Sequence, residues 1–278
     1  MGEKETDKNR APIIEVDSLV RRFGAQIVLN GISFKIYPGE TFVVMGGSGC
    51  GKSTLLRHLI GTDAPTSGSI KVFGEELTTV SDEGLQRIRR KFGMLFQSGA
   101  LLQSLSVAEN IALPLHEHTD LDSALIDTVT NMKMEQVGLI GHGHKKPSEI
   151  SGGMKKRVAL ARALSLDPEL VFSDEPTAGL DPIMTAVVDE LTQKLTRKIG
   201  ATVVVVSHDM TSVFRIATRI MMLGTGDRQG TIVAEGTPQE IQSHSDPTVQ
   251  AFLQGDPKGA HASKAGVALY RDVLLSKT

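Results

Sequence analysis

Residues 41–54 read TFVVMGGSGCGKST. A short apolar run breaks into glycines, and Lys52 and Ser53 then open a helical pattern, STLLRHLI, that Gly61 is placed to cap. Residues 46–53 spell G-x-x-x-x-G-K-S in full. Glycine is needed there because backbone N–H groups must turn inward and approach phosphate oxygens with no Cβ in the way. The helix N-terminus that follows adds partial positive charge. Strand, glycine-rich loop and helix in succession are the context in which this motif binds a nucleotide.

Reading outward, residues 13–36 look like paired strands. Ile32, Phe34 and Ile36 alternate with Ser33 and Lys35 at a period of two, and Pro38-Gly39 marks a turn. Residues 98–167 carry longer helical patterns with few strand signals, punctuated by Pro114 and Pro147, and read as a helical subdomain. Strand and helix then alternate: strands at 170–173, 202–206 and 220–223, helices at 182–199 and 211–217. That alternation predicts a parallel sheet in an α/β fold. Order is expected to fade from about Asp246, with a linker-like break at 255–259 and a short helix at 267–275.

Two more segments carry phosphate chemistry. Leu170-Val171-Phe172-Ser173-Asp174-Glu175 is an apolar strand ending in paired acids, at the carboxyl edge where open α/β sheets bind ligands. Asp174 is expected to hold Mg²⁺ and Glu175 to polarise an attacking water. Lys52 is expected to reach the β- and γ-phosphates and Ser53 to ligate the metal. Ile150-Ser151-Gly152-Gly153-Met154 precedes a helix bearing Lys155, Lys156 and Arg157. Alone, Ser151 is a good N-cap and the basic residues a solvated face. With the other two motifs the segment becomes an anion site, and the three together point to ATP hydrolysis.

Composition narrows the classes. The 278 residues are 40% apolar and 22% charged, with a net charge of −2 and one cysteine. This is ordinary globular composition, with no basic excess to suggest nucleic acid, no disulfide framework and no four-cysteine zinc site. No apolar run approaches the ~18 residues of a membrane span. The start, MGEKETDKNR, lacks an apolar core and reads as a polar disordered tail over residues 1–12; its match to a myristoylation pattern through Gly2 and Thr6 is short and common by chance. The histidine pairs 116/118 and 142/144 lack further ligands and read as surface residues. Cys50, beside a helix N-terminus, is where a thiol pKa tends to fall; the plainer reading is a tolerant loop position.

Over residues 13–245 the chain resembles the nucleotide-binding subunits of ABC transporters, with six motifs in that family's order. Residues 46–53, continuing into Thr54, look like its Walker A, Gln97 like its Q-loop and residues 150–154 like its LSGGQ signature. Asp174 and Glu175 look like Walker B and the catalytic glutamate, Asp181 like the D-loop, and His208 like the switch histidine. Phe23 sits where the family places an aromatic against adenine. The resemblance implies a P-loop NTPase core of RecA-like type with an antiparallel β subdomain, the inserted helical subdomain and a C-terminal extension, 246–278. It further implies a head-to-tail homodimer in which each ATP lies between Gly46, Gly47, Ser48, Gly49, Cys50, Gly51, Lys52, Ser53 and Thr54 of one chain and Ser151, Gly152 and Gly153 of the other. In that scheme His208 contacts the γ-phosphate, Gln97 couples Mg²⁺ and the water to the helical subdomain, and Asp181 joins the nucleotide site.

The chain departs from the pattern at Ile150, where Leu is usual, and at Met154, where Gln is usual and whose amide hydrogen bonds Met cannot make. Residues 95–119 (LFQSGALLQSLSVAENIALPLHEHT), 132–139 (MKMEQVGL) and the SGGM signature resemble the ATPases of Mce-associated phospholipid transporters of the Mla type. That closer likeness implies integral membrane permease partners, a lipid-binding Mce-domain partner, a phospholipid cargo and a peripheral place on the cytoplasmic face of the inner membrane. In the family the region after the Q-loop contacts the permease, here around Glu117 and His118. Another cargo is the main alternative; soluble translation or DNA-repair ATPases of this family usually carry two cassettes, coiled coils or zinc modules that are not seen in this sequence.

Overall fold

The computed structural model describes residues 11–255. The alternation read at 32–36 becomes half of an antiparallel hairpin, β1 (Ile14–Phe23) with β2 (Gln26–Ile36), in which Ile14 faces Ile36 and Val16 faces Phe34. The apolar run before the glycines is β3 (Thr41–Gly46), followed by helix α1 (Lys52–Leu59). Then come β4 (Ser67–Val72), β5 (Glu75–Glu76), α2 (Asp82–Arg89) and β6 (Phe92–Leu95). Three helices follow: α3 (Val107–His118), α4 (Ser123–Gln136) and α5 (Gly152–Ala163). The remainder alternates as β7 (Leu170–Asp174), α6 (Pro182–Ile199), β8 (Thr202–Val206), α7 (Met210–Ile216), β9 (Arg219–Leu223) and β10 (Ile232–Gly236), then α8 (Pro238–Gln242) and α9 (Pro247–Leu253).

Two sheets result. A four-stranded antiparallel sheet runs β2-β1-β4-β5, and a six-stranded sheet runs β10-β9-β3-β8-β7-β6. The larger one is parallel except at β10, which pairs antiparallel with β9. Near-continuous burial of β3, β7 and β8 explains their uninterrupted apolar sequences, since strands covered on both faces have no polar side to show. The two sheets share one core: Phe34 of the small sheet stacks on Phe42 of the large one at 5.5 Å between ring centroids. Phe92 meets Phe172 edge-on at 5.0 Å across β6 and β7. Such pairs add about 0.5–1.5 kcal/mol each beyond their buried area.

Helices α3, α4 and α5 form the expected helical subdomain, packed around Ala112, Leu115 and Ile126 and onto the main core through Val107, Ile111 and Val158. Pro114, expected to punctuate, lies inside α3. It forfeits one backbone hydrogen bond, and the helix continues because a capping box of Ser106 and Glu109 starts it and buried residues on both sides of the proline hold it. Order does not fade at Asp246. That residue caps α9, accepting from the Thr248 N–H, and pairs with Arg228 at 2.5 Å, while Pro247 takes the first helical position and Val249 is buried. The first ten residues of the expected tail and the expected helix at 267–275 lie outside the described residues. Among the described residues no helix is long and apolar enough to cross a membrane.

Candidate functional site

Sheet order places the motif residues. β3, β8 and β7 are adjacent and parallel, with Val44 beside Val206 and Val206 beside Asp174. Their carboxyl ends therefore deliver Gly46, His208 and Asp174-Glu175 to one edge, with neighbouring strands about 4.8 Å apart.

At β3 the chain turns through left-handed backbone at Gly46 (φ 147°), Gly49 (φ 77°) and Gly51 (φ 109°). A Cβ on Gly46 would lie 2.6 Å from the Leu223 carbonyl oxygen and 2.8 Å from Cys50 Sγ, and one on Gly51 would lie 2.9 Å from the Val28 oxygen. The glycines are thus steric requirements of the loop. Gly51 is the N-cap of α1 and has no side chain to cap it, so the first-turn N–H groups remain donors for an outside acceptor. Ser48 and Gly49 are exposed, Ser53 is exposed at the helix start and Thr54 is buried beneath it. Lys52 is half-buried and donates from Nζ to the carbonyls of Gly46 at 2.8 Å and Gly47 at 3.1 Å. A concave row of backbone donors with an ammonium on its rim fits a polyphosphate.

Cys50 is fully buried, and burial pushes its thiol up, with Lys52 opposing. The sequence tendency toward a lowered thiol pKa is overturned, because desolvation of the thiolate outweighs the neighbouring charge and helix end. Its side chain packs in the core beneath the loop, where Lys52 Nζ lies 3.9 Å from the sulfur.

Glu175 adopts φ 47°, a left-handed conformation rare for a residue with a Cβ, and its N–H donates to Val206 at 2.9 Å. Strain of this kind, about 1–3 kcal/mol, persists where surrounding structure enforces it. The result aims its carboxylate at His208, whose Nδ1 lies 2.6 Å from Oε1. A carboxylate oxygen only accepts, so Nδ1 carries the hydrogen and Nε2 of this exposed ring faces outward. Burial pushes the Asp174 carboxyl above the ordinary aspartate range; Glu175 adds to this, while Arg57 and Lys52 pull it down. An oxygen-rich set of Asp174, Ser53 and the Gln97 amide suits a hard divalent cation. Gln97 and Asp174 line one cleft of about 550 Å³, together with Phe96, Ser98, Ala178 and Gly179.

Ser151, Gly152 and Gly153 sit at the N-terminus of α5. Ser151 caps the helix, accepting from the Met154 N–H at 3.3 Å. Ser151 and Gly152 are exposed, and no hydrogen bond joins them to residues 46–54 among the described residues. Met154 packs against the main core, the apolar use of a position where a glutamine would seek polar partners. Asp181, exposed, caps α6 through the N–H groups of Ile183 and Met184. Phe23 is about half exposed, and the Arg21 guanidinium covers it at 4.4 Å from the ring centroid.

Three contacts escaped the sequence reading. Gln229 donates to the Gly49 carbonyl at 2.9 Å, tying the loop after β9 to the glycine loop. Arg21 sits over Phe23. Lys156, expected on a solvated face, is buried with its ammonium on the Gln97 carbonyl. The first two lie outside any periodic pattern; the third was visible only as one of three consecutive cations.

A profile of the family described as ABC transporter matches residues 29–178. The chain is 40% identical over 253 residues to the intermembrane phospholipid transport system ATP-binding protein MlaF of Escherichia coli (strain K12), covering 91% of this chain and 93% of that protein. It is 38% identical over 242 residues to the probable ribonucleotide transport ATP-binding protein mkl of Mycobacterium leprae (strain TN), covering 87% of this chain and 69% of that one. Among solved structures, the dimeric post-hydrolysis state of the ATP-binding cassette MJ0796 bound to ADP and Pi superposes with a TM-score of 0.72 at 30% identity, over 81% of this chain and 98% of that one.

Proposed function

The chain belongs to the ABC transporter family as an ATP-hydrolysing subunit, and from that premise we propose that it drives phospholipid movement between membranes of the cell envelope. The observation that carries the enzymatic part is the Glu175–His208 pair, 2.6 Å apart at the sheet edge that also bears Asp174 and the glycine loop. For the cargo, support comes from the 40% identity to MlaF over nearly the full length of both chains.

ATP binds with its phosphates along residues 46–54. Lys52 leaves the Gly46 and Gly47 carbonyls for phosphate oxygens, and Phe23 stacks on the base. Ser53, Asp174 and Gln97 would hold Mg²⁺, which supplies charge neutralisation on the β- and γ-oxygens. Glu175 orients a water and takes its proton as the water oxygen bonds to the γ-phosphorus and the bond to the bridging oxygen breaks, releasing ADP. A positioned base of this kind is worth about 10²–10⁴ in rate. His208 pairs through Nδ1 with Glu175 and turns its exposed other edge toward the γ-phosphate. The γ-phosphate also meets the partner subunit's Ser151 and Gly153, with Asp181 at the same interface. Ser151 suits this because its hydroxyl accepts from Met154 and keeps its own hydrogen to donate. ATP thereby binds the closed homodimer better than the open one, and that difference is the energy available for work.

The permease takes this motion through a groove of about 350 Å³ between β6 and the helical subdomain. Leu102, Pro114, Glu117 and His118 line it, with Phe96 next to the Q-loop. In this reading the chain is peripheral on the cytoplasmic face of the inner membrane, with permease and Mce-domain lipid-binding partners and no nucleic acid. A second reading, a different cargo, draws on the likeness to a protein named for ribonucleotide transport. Gentle purification of the tagged chain from native membranes, with mass spectrometry of bound proteins and lipids, separates the two. A permease with an Mce-domain protein and enriched glycerophospholipid supports the first reading; a permease without either sinks it and leaves the ATPase standing.

A further inference from the structure

Helix α5 bears the signature at its N-terminus and two cations further along that reach back to the Q-loop. The Lys156 side chain is buried, and among the described residues its one hydrogen-bond partner is the Gln97 carbonyl. Two turns on, Arg162 forks onto the same loop, Nη1 to Ala100 at 2.8 Å and Nη2 to Gly99 at 2.7 Å. Gly99 and Ala100 are both left-handed, at φ 75° and φ 45°, so these carbonyls point where an ordinary extended loop would not send them. The intervening cation, Arg157, turns to Val137 and Gly138 within the helical subdomain. The arrangement is selective: the cations on the Q-loop side grip residues 97–100, and the other does not.

An ammonium taken out of water and given one neutral carbonyl is a poor stabiliser, since desolvation costs more than a single hydrogen bond returns. Burial lowers the Lys156 pKa, and the carboxylate that opposes this is Glu175. A methionine of similar length would fill the same space. What the ammonium adds is a fixed position for the Gln97 backbone, and hence for the side chain that lines the cleft with Asp174.

We propose that Lys156 is a positioning residue for hydrolysis: it ties Gln97 to the helix whose N-terminus docks on the partner's nucleotide, so that docking and Gln97 placement occur together. This rests on the reading that Gln97 helps hold Mg²⁺ at the nucleotide. The test is steady-state ATPase of the full chain purified with its membrane partners. Lys156→Met should lower kcat about tenfold with KM for ATP moved less than about twofold, because misplacement costs rate and leaves ground-state binding intact. Lys156→Arg should recover most of the rate, and thermal unfolding of Lys156→Met should be unchanged or raised. Lys156→Gln, uncharged and shorter, serves if the methionine variant does not fold. Adding Lys156→Met to Gln97→Ala should cause no further loss, the non-additivity of residues that act as one unit. Wild-type kcat in Lys156→Met, a loss confined to KM, or additive losses in the double variant would overturn the proposal. A fully active Gln97→Ala would overturn the Q-loop reading with it, whereas a slow Gln97→Ala beside a normal Lys156→Met removes only Lys156.

Discussion

Two helices in this protein begin with glycines at a phosphate motif, and their N-termini are built differently. At α1 the cap is Gly51, without a side chain, left-handed, with Cβ space taken by Leu29 and Val28. At α5 the cap is Ser151, which closes its own helix end, and Gly152 has open space around it. The first end is walled by its own chain and open only toward a ligand. At the second, Ser151 and Gly152 are exposed while Gly153 is buried beside Met184, and the cap is already satisfied with one hydroxyl hydrogen to spare. In the proposed mechanism one is a site in a single chain and the other is half of a site that a second chain completes.

The sharpest break would come at the walled end. Lys52→Ala should reduce phosphate release about 10³-fold, since it removes a direct phosphate contact at the centre of charge development. Glu175→Gln, on the edge beside that end, should slow turnover about 10²-fold while retaining ATP, so that size-exclusion chromatography with ATP shows a stable dimer; wild-type turnover there would remove Glu175 from the base role. At the open end Ser151→Asp, at an exposed position and still able to cap α5, should leave ATP binding by the isolated chain within about twofold and lower ATPase at least about tenfold, by setting a carboxylate against the partner's phosphate. Mixing Lys52→Ala chains with Ser151→Asp chains should restore activity, because one of the two composite sites then has both halves intact. No restoration would mean that the ends do not meet across a dimer.

Stability should divide along the same line. Gly51→Ala should cost about 1–3 kcal/mol in urea unfolding, from φ 109° and the close Val28 oxygen. Gly152→Ala, in open space at the first turn, should change stability by less than about 0.5 kcal/mol. A comparably modest effect concerns Asp174, whose carboxyl is raised mainly by burial. A carboxyl that binds its proton more tightly when folded stabilises fully below its unfolded pKa and loses that contribution as pH rises through the folded value. Asp174→Asn should therefore raise the neutral-pH Tm by about 1–3 °C, and the gain should vanish as pH falls below the ordinary aspartate range. A Tm gain that persists in acid would assign the effect to something other than the buried charge.

The glycine loop was legible because its demands are local: consecutive residues set the turn, and the strand before and helix after could be read from periodicity. Parallel-sheet strands at 41–46, 170–174 and 202–206 were equally plain, since burial on both faces leaves unbroken apolar runs. The stretches at 62–97 and 224–245 carried no clear pattern, since their elements are short: β5 at two residues, β4 at six, α2 at eight, and β10 running antiparallel on the sheet's rim. Pro114 and Asp246 misled for opposite reasons. The proline's local cost is absorbed by packing on both sides of α3. Asp246-Pro247 carries a cap signal that the polar surroundings obscured.

The sequence alone determined the motif order and the glycine turn, because those follow from bonded neighbours and their conformational limits, and its likeness to a known family determined the family. Tertiary structure decided what lies between distant residues. Glu175 and His208 are 33 positions apart and meet only because β7 and β8 are neighbours. Cys50 and Lys156 change character through burial, which no local pattern reports: the thiol is pushed up and the lysine becomes a bolt between the signature helix and the Q-loop. Desolvation depends on what the rest of the chain packs around a group, and that is set by the whole fold.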